Sequence, residues 1–191
     1  MRRFLFLMLV FAMGAPLGVT GCTASGVPPS QRPERWARGV KAQGLPNLHK
    51  VDEGLYRGAQ PSKRGMKSLE KLQVKTVVNL RSMHGDKHLL QGRSLGYVRL
   101  AFDTTKPEMS NVLAFLRVAT DPDKRPVFVH CKHGADRTGM MVAFYRIVVQ
   151  GWSKKDAIRE MRRGGFGFHP IWGHLIRFIK KADIPTLKRA L

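Results

Sequence analysis

One stretch of this chain, residues 126–150, limits its possible folds more than any other. It opens with Pro126 and the run Val-Phe-Val-His, whose β-branched and aromatic residues favour a buried strand. From Thr138 to Val149 apolar residues recur at helical spacing, which predicts a helix. The glycine-containing loop between them must therefore connect the end of a strand to the start of a helix.

A loop in that position can bind an anion. The free N–H groups of residues 132–137 can curl into a concave nest, and the helix N-terminus adds positive potential. Gly134 lets the backbone turn tightly or approach a ligand closely. The same field favours the thiolate form of Cys131 at the base of the loop, which makes it a candidate nucleophile.

Two residues at the end of this loop add what a thiolate lacks for phosphate chemistry. Arg137 offers a planar fork that binds two phosphoryl oxygens at once, and Thr138 can donate its hydroxyl to the sulfur. Phosphoryl transfer needs mainly positioning and charge stabilisation, so neither a metal nor another cofactor is required. The alternative is a buried structural cysteine before an ordinary capped helix. A rhodanese-type sulfurtransferase also uses such a cysteine, but the Arg-Thr-Gly ending favours phosphate.

The segment 130–139, His-Cys-Lys-His-Gly-Ala-Asp-Arg-Thr-Gly, resembles the signature of the cysteine-dependent protein tyrosine phosphatase superfamily, on its dual-specificity side. The resemblance extends to residues 55–62 and 75–81 and covers roughly 48–182. It implies an α/β fold, a single domain with a central, mostly parallel sheet flanked by helices. It also implies a substrate-binding loop, formed by Lys132, His133, Gly134, Ala135 and Asp136.

A general acid must protonate the leaving oxygen, and two aspartates compete for that role. Asp103 follows a short predicted strand and lies in a loop that continues to Pro107, in a position similar to the acid loop of dual-specificity phosphatases. Asp136, inside the phosphate loop, is the alternative, although it could instead orient the loop. Asp103 is the preferred acid.

The N-terminus predicts export. Arg2 and Arg3 precede a mostly apolar segment, 4–19, and small residues lead to Cys22, the layout of a bacterial secretory signal. The last residues resemble a lipobox, which implies that Cys22 is lipidated. The expected product is a membrane-anchored lipoprotein, on the periplasmic face of the outer membrane if the cell is Gram-negative. An uncleaved anchor is the alternative, although Gly14, Pro16 and Gly18 interrupt the segment.

These features divide the chain into a signal peptide (1–21), a lipidated N-terminus with a flexible tether (22–47) and a phosphatase domain (48–191). Within the domain, strands are expected near 55–57, 76–80, 97–101 and 126–130. Helices are expected near 63–73, 108–119, 138–150, 153–162 and 170–182. The glycine-rich segment 164–169 is either a lip beside the site or a turn that packs Phe166 and Phe168 on the core.

The net charge of +21 attracts anions of many kinds without selecting one. Nucleic-acid binding is not expected, because the basic residues are dispersed and no binding motif accompanies them.

The expected partners are phosphorylated proteins or phosphorylated small molecules, together with the membrane that would hold the Cys22 lipid. Inositol phosphates and phosphoinositides are the alternative substrates, and an anchored, non-catalytic phosphate-binding module is the alternative function. The sequence does not indicate an oligomeric state.

Overall fold

The computed structural model describes residues 27–28 and 31–191. The predicted signal peptide and Cys22 lie outside these residues. Among the residues described, none of the helices has the length and apolar character needed to cross a membrane.

A six-stranded sheet forms the centre of the domain. Its strands are β1 (Arg38–Gly39), β2 (His49–Asp52), β3 (Leu55–Gly58), β4 (Thr76–Asn79), β5 (Gly96–Arg99) and β6 (Val127–His130), in the spatial order β1-β2-β3-β6-β4-β5. The four strands β3, β6, β4 and β5 run parallel, and β1 and β2 extend the sheet as an antiparallel edge. The prediction of a mostly parallel sheet is confirmed.

In the described part of the chain, six α-helices flank the sheet: α1 (Lys63–Lys71), α2 (Met109–Thr120), α3 (Asp136–Val148), α4 (Lys154–Arg163), α5 (Gly173–Lys181) and α6 (Ile184–Ala190). Short 3₁₀ turns cover Lys87–Leu89 and Pro170–Trp172. Each of the five predicted helices is present, but α3 begins at Asp136 and not at Thr138. The strands β1 and β2 and the helix α6 were not predicted from the sequence.

The alternation of side chains along the strands divides the core into two layers. Val127 and Val129 of β6 pack with the larger layer, which the helices α2 to α6 cover. Phe128 points to the opposite face and packs with Met66 and Leu69 of α1. The central strand is therefore buried on both faces, as its continuous apolar run predicts.

The segment 31–47 is not the flexible tether that its composition predicts. Trp36 and Ala37 are buried, and the backbone N–H of Ala37 donates to Oε1 of Glu160 at 2.6 Å. The Arg32 guanidinium donates to the carbonyl of Gly164 at 2.6 Å. A few apolar anchors and buried hydrogen bonds outweigh the polar composition, so the domain begins upstream of residue 48.

Candidate active site

The candidate nucleophile lies at the carboxyl end of the central strand. Cys131 follows β6 directly and is 3% exposed, and α3 begins five residues later at Asp136. Gly134 in the intervening loop has φ +72, and a Cβ at that position would lie 2.5 Å from the carbonyl of Gly58. Only glycine therefore fits this close approach of the loop to β3.

Three consecutive carbonyls of the loop are bonded to the N-terminal part of the chain. The carbonyl of Lys132 accepts from the backbone N–H of Gln60 (3.2 Å), that of His133 from Nδ2 of Asn47 (2.8 Å) and that of Gly134 from Nη2 of Arg57 (2.7 Å). In a trans peptide the N–H of the next residue points opposite to the carbonyl. The N–H groups of residues 133–135 are therefore directed away from these partners, and none of them donates to another described residue. These three N–H groups are therefore available to an anion, as the predicted nest requires.

Arg57 is the most deeply buried of the three residues that donate to the loop carbonyls. Its side chain is 1% exposed, and the guanidinium lies 3.7 Å from the centre of the Phe166 ring. Burial lowers the pKa of Arg57 to about 10, although the nearby charges of Glu160 and Cys131 act to raise it. The group remains positively charged at neutral pH. Arg57 lies in the segment 55–62 that resembles the family, but a role for it was not predicted from the sequence.

Arg137 lies at the end of the loop, in the first turn of α3, and is held from two strand ends. Its Nη1 donates to the carbonyls of Leu80 (3.2 Å) and Phe102 (3.4 Å), which follow β4 and β5. No hydrogen bond joins its Nη2 or Nε to another described residue, so the three N–H donors on these two nitrogens remain for a ligand. Thr138 is fully buried, and its hydroxyl likewise lacks a partner among the described residues.

The two candidate acids occupy different surroundings. Asp103 is exposed, and its Oδ1 accepts from the backbone N–H of Thr105 at 2.9 Å. The pKa of Asp103 is lowered, mainly by hydrogen bonds from Thr105 and further by the charges of Lys106 and Arg137. A second contact holds this loop from outside, because Nε2 of His174 lies 2.7 Å from the carbonyl of Thr104.

Asp136 is already engaged within the protein. Its Oδ1 accepts from the backbone N–H of His169 at 2.9 Å, and its Oδ2 lies 2.8 Å from Nδ1 of the same residue. These contacts favour an orienting role for Asp136. The segment 164–169 combines the two predicted alternatives. Phe166 packs in the core like a turn residue, and His169 borders the phosphate loop like a lip. Lys132 and His133 are exposed and Ala135 is buried.

A buried polar network on the other side of the nucleophile was not predicted. His130 is fully buried, and its Nε2 lies 2.9 Å from Oδ2 of Asp86, which also accepts from Nδ2 of Asn79 at 2.8 Å. The second oxygen of Asp86 accepts from Nε2 of Gln60 at 2.7 Å. Burial acts to raise the pKa of Asp86, but these hydrogen bonds and the charge of His130 outweigh it, so the pKa is lowered. Asp86 lies in an irregular loop where the sequence offers no periodic signal.

A parallel α/β sheet and a cysteine–arginine anion loop between a strand and a helix together define a cysteine-dependent phosphatase. Comparison with known proteins gives the family. The family described as "DSP-PTPase phosphatase fused to NAD+ Kinase" matches residues 39–172. The chain belongs to this dual-specificity family of cysteine-dependent phosphatases, and it is a phosphatase.

Individual relatives agree with this assignment. The dual specificity protein phosphatase TpbA of Pseudomonas aeruginosa (strain UCBPP-PA14) is 35% identical over 182 residues, which cover 95% of this chain and 79% of TpbA. The crystal structure of P. aeruginosa TpbA superimposes with a TM-score of 0.74 over 82% of this chain and 96% of the other. Inositol diphosphatase DSP5 of Arabidopsis thaliana is 27% identical over 157 residues, 76% of this chain and 74% of DSP5. The predicted fold class and enzyme class are thus confirmed.

Proposed function

We propose that this phosphatase hydrolyses phosphomonoesters through a cysteinyl-phosphate formed on Cys131. The observation that carries the proposal is the orientation of the loop. Its carbonyls at 132–134 are bonded to Gln60, Asn47 and Arg57, so its N–H groups at 133–135 point away from these partners and remain available to an anion. Arg137, at the end of the same loop, also keeps N–H groups that bond to no other described residue. Such a cradle holds three phosphoryl oxygens and leaves the phosphorus open to the sulfur.

In the first step, the thiolate of Cys131 attacks phosphorus, and the bond from phosphorus to the leaving oxygen breaks. Arg137 binds two equatorial oxygens, and Asp103 gives its proton to the leaving oxygen. In the second step, Asp103 takes a proton from water, the water oxygen attacks phosphorus, and the sulfur departs as a thiolate. The unpartnered hydroxyl of Thr138 donates to that thiolate and stabilises it.

Asp103 must be protonated to act as the acid, yet its pKa is lowered in the structure. A bound phosphate dianion resolves this conflict in two ways. It pairs with Arg137, whose charge then no longer favours the carboxylate, and its own negative charge raises the pKa of a nearby carboxyl group. Asp103 would thus gain its proton when substrate binds.

For the substrate, we propose a phosphorylated protein with phosphotyrosine as the first choice. TpbA, which is named a dual specificity protein phosphatase, has been crystallised as a Cys-to-Ser variant in complex with pTyr. Inositol phosphates are the second candidate. The exposed Lys132 and His133 place extra donors on the loop, which suits a highly anionic ligand, and DSP5 is named an inositol diphosphatase.

We also propose that the enzyme acts outside the cytosol, anchored by lipid on Cys22. The basic start, the apolar segment and the lipobox-like ending support this location. Mass spectrometry of the chain from bacterial membranes should find a diacylated N-terminal cysteine, and Cys22→Ser should abolish both the lipid and the cleavage before residue 22. An unmodified Cys22 in membranes would contradict the proposal.

One experiment tests the chemistry and the substrate together. The full chain and its Cys131→Ser variant are assayed for phosphate release from phosphotyrosine, phosphoserine and phosphothreonine peptides, an inositol pyrophosphate and a phosphoinositide. We expect the highest kcat/KM on phosphotyrosine, and no release by the variant. A substrate-trapping assay with Cys131→Ser checks that the variant still binds phosphate. Equal activity in the variant would overturn the cysteinyl-phosphate, and preference for the inositol pyrophosphate would select the second substrate.

A further inference from the structure

Three metal-ligating side chains meet at the rim of the phosphate loop. His133, Asp136 and His169 each present one ligand atom, and these atoms all lie within 4.8 Å of one another. Hydrolysis as proposed above uses no metal, and the orienting contact between Asp136 and His169 does not explain why the His133 ring also lies beside them, with ring centroids 5.4 Å apart. Two imidazole nitrogens and one carboxylate oxygen form a donor set that suits zinc and similar ions, whereas calcium and magnesium prefer oxygen alone.

The distances allow one ion with small adjustments. Nδ1 of His169 and Oδ2 of Asp136 are 2.8 Å apart, and ligands around tetrahedral zinc are separated by about 3.3 Å, given bonds of about 2.0 Å. This pair therefore has to open only slightly as the ion replaces their shared proton. His133 must approach by about 1.5 Å at most. It can do so because its side chain is exposed and makes no hydrogen bond to another described residue.

The carboxylate is already oriented for such a role. Asp136 is 7% exposed, and its Oδ1 accepts from the backbone N–H of His169 at 2.9 Å. This bond can persist while Oδ2 ligates the ion, so it would fix the carboxylate as outer hydrogen bonds do in established metal sites.

The surrounding charge narrows the choice of ion. Lys132 and Arg137 are near neighbours along the chain, and both oppose the approach of any cation. An ion held mainly by charge would bind poorly here. An ion that gains from bonds to imidazole nitrogen can offset the repulsion, which again selects zinc over magnesium or calcium.

We propose that His133, Asp136 and His169 bind one zinc-type divalent ion, with the fourth position left to water. The ion would join the phosphate loop to the segment 164–169, which approaches it from a different part of the chain. Metal binding would thereby restrain the rim of the active site.

The test uses the full chain without a histidine tag, carrying Cys22→Ser and Cys131→Ser so that no thiolate competes for metal. Zinc binding is measured by titration calorimetry, and Co²⁺ is added as a spectroscopic probe. We expect one zinc per chain, a tetrahedral Co²⁺ absorption that zinc abolishes, and a rise in Tm with zinc. Because this protein lacks the nucleophile, the result is independent of whether the proposed hydrolysis is correct.

Variants locate the site. His133→Ala and His169→Gln should each weaken zinc binding at least tenfold and remove the rise in Tm. The glutamine can still donate a hydrogen bond toward Asp136, and circular dichroism of the metal-free variants checks their fold. His88→Ala is the matched control, because His88 is exposed on a different turn and should leave binding unchanged. Absence of saturable binding of one zinc per chain, or affinities of both site variants within twofold of the parent, would overturn the proposal.

Discussion

The two loops assigned to catalysis are built in different ways. The phosphate loop, 130–139, is held by hydrogen bonds that Arg57, Asn47 and Gln60 donate to three of its carbonyls. The acid loop, 101–107, is largely exposed, and Asp103 is bonded mainly to its own neighbours. A cradle for a transition state gains from being fixed before substrate arrives. A proton donor must instead change its protonation state twice in each turnover, and an exposed loop allows that.

This contrast predicts that substitutions in the phosphate loop lower activity on every substrate. The effect of substitutions in the acid loop should instead depend on the leaving group of the substrate. Arg137→Lys should cause the largest effect of the following changes, because lysine offers a point charge without the planar fork. We expect kcat/KM to fall about a hundred- to thousandfold for aryl and alkyl phosphates alike. Steady-state kinetics on both substrates measures it. A fall in kcat/KM for only one of the two substrates would contradict the proposed difference between the loops.

Asp103→Asn should show the opposite selectivity. Alkyl leaving groups need protonation, so kcat should fall about a hundredfold or more with an alkyl phosphate and much less with p-nitrophenyl phosphate. A general acid that loses its proton makes alkyl phosphate hydrolysis fall as pH rises, and Asp103→Asn should remove that fall. Asp136→Asn is the matched control for a carboxylate beside the loop. If that variant shows the leaving-group dependence and Asp103→Asn does not, the acid is Asp136.

Arg57→Met removes the hydrogen bond from Arg57 to the phosphate loop, at a residue that has no proposed contact with substrate. Methionine keeps much of the apolar stem but leaves the carbonyl of Gly134 without its donor. We expect kcat to fall about tenfold, and the free energy of unfolding to fall by about 2 kcal/mol, because a buried carbonyl is left unsatisfied. Urea unfolding and kinetics measure the two effects. Arg57→Lys should recover part of both, and a variant with unchanged kcat would show that this hydrogen bond serves stability alone.

The smallest effect on activity is expected from a change in the buried polar network of Asp86 and His130. The lowered pKa of Asp86 means that folding favours its carboxylate, so its contribution to stability is present above the ordinary pKa of 3.8 and is lost as pH falls below it. Asp86→Asn should therefore destabilise the domain at pH 7 by about 2 kcal/mol, with a smaller difference near pH 3. Urea unfolding at both pH values tests this. If the two proteins differ in free energy of unfolding by the same amount at both pH values, the charge of Asp86 is not the source of the stabilisation.

Much of the reaction chemistry is local in sequence and could be predicted there. Cys131, Gly134 and Arg137 occur within one strand–loop–helix unit, so their spacing alone indicates an anion nest with a fork. The residues that hold this unit could not be predicted in the same way. Arg57, Asn47 and Asp86 come from separate parts of the chain and make no local pattern with the loop.

The segment 31–47 shows why composition misleads at a domain boundary. Its polar and basic residues are typical of a tether, yet Trp36 is buried and Asn47 bonds to the carbonyls of both His133 and Phe166. A few buried apolar residues, among them Trp36 and Leu45, and a few hydrogen bonds to distant partners hold this segment on the domain. Those partners lie about a hundred residues away in sequence, so only the folded chain identifies them.

The sequence by itself determined the class of reaction, the nucleophile candidate and the main alternation of strands and helices, because each depends on neighbouring residues. The tertiary structure decided which groups orient the loop, why Asp136 is already engaged and how His133 and His169 come together. These features depend on contacts between distant segments, which form only when the sheet brings β3, β4 and β6 side by side. Local spacing specifies what the loop can bind, and long-range packing specifies how firmly it is held.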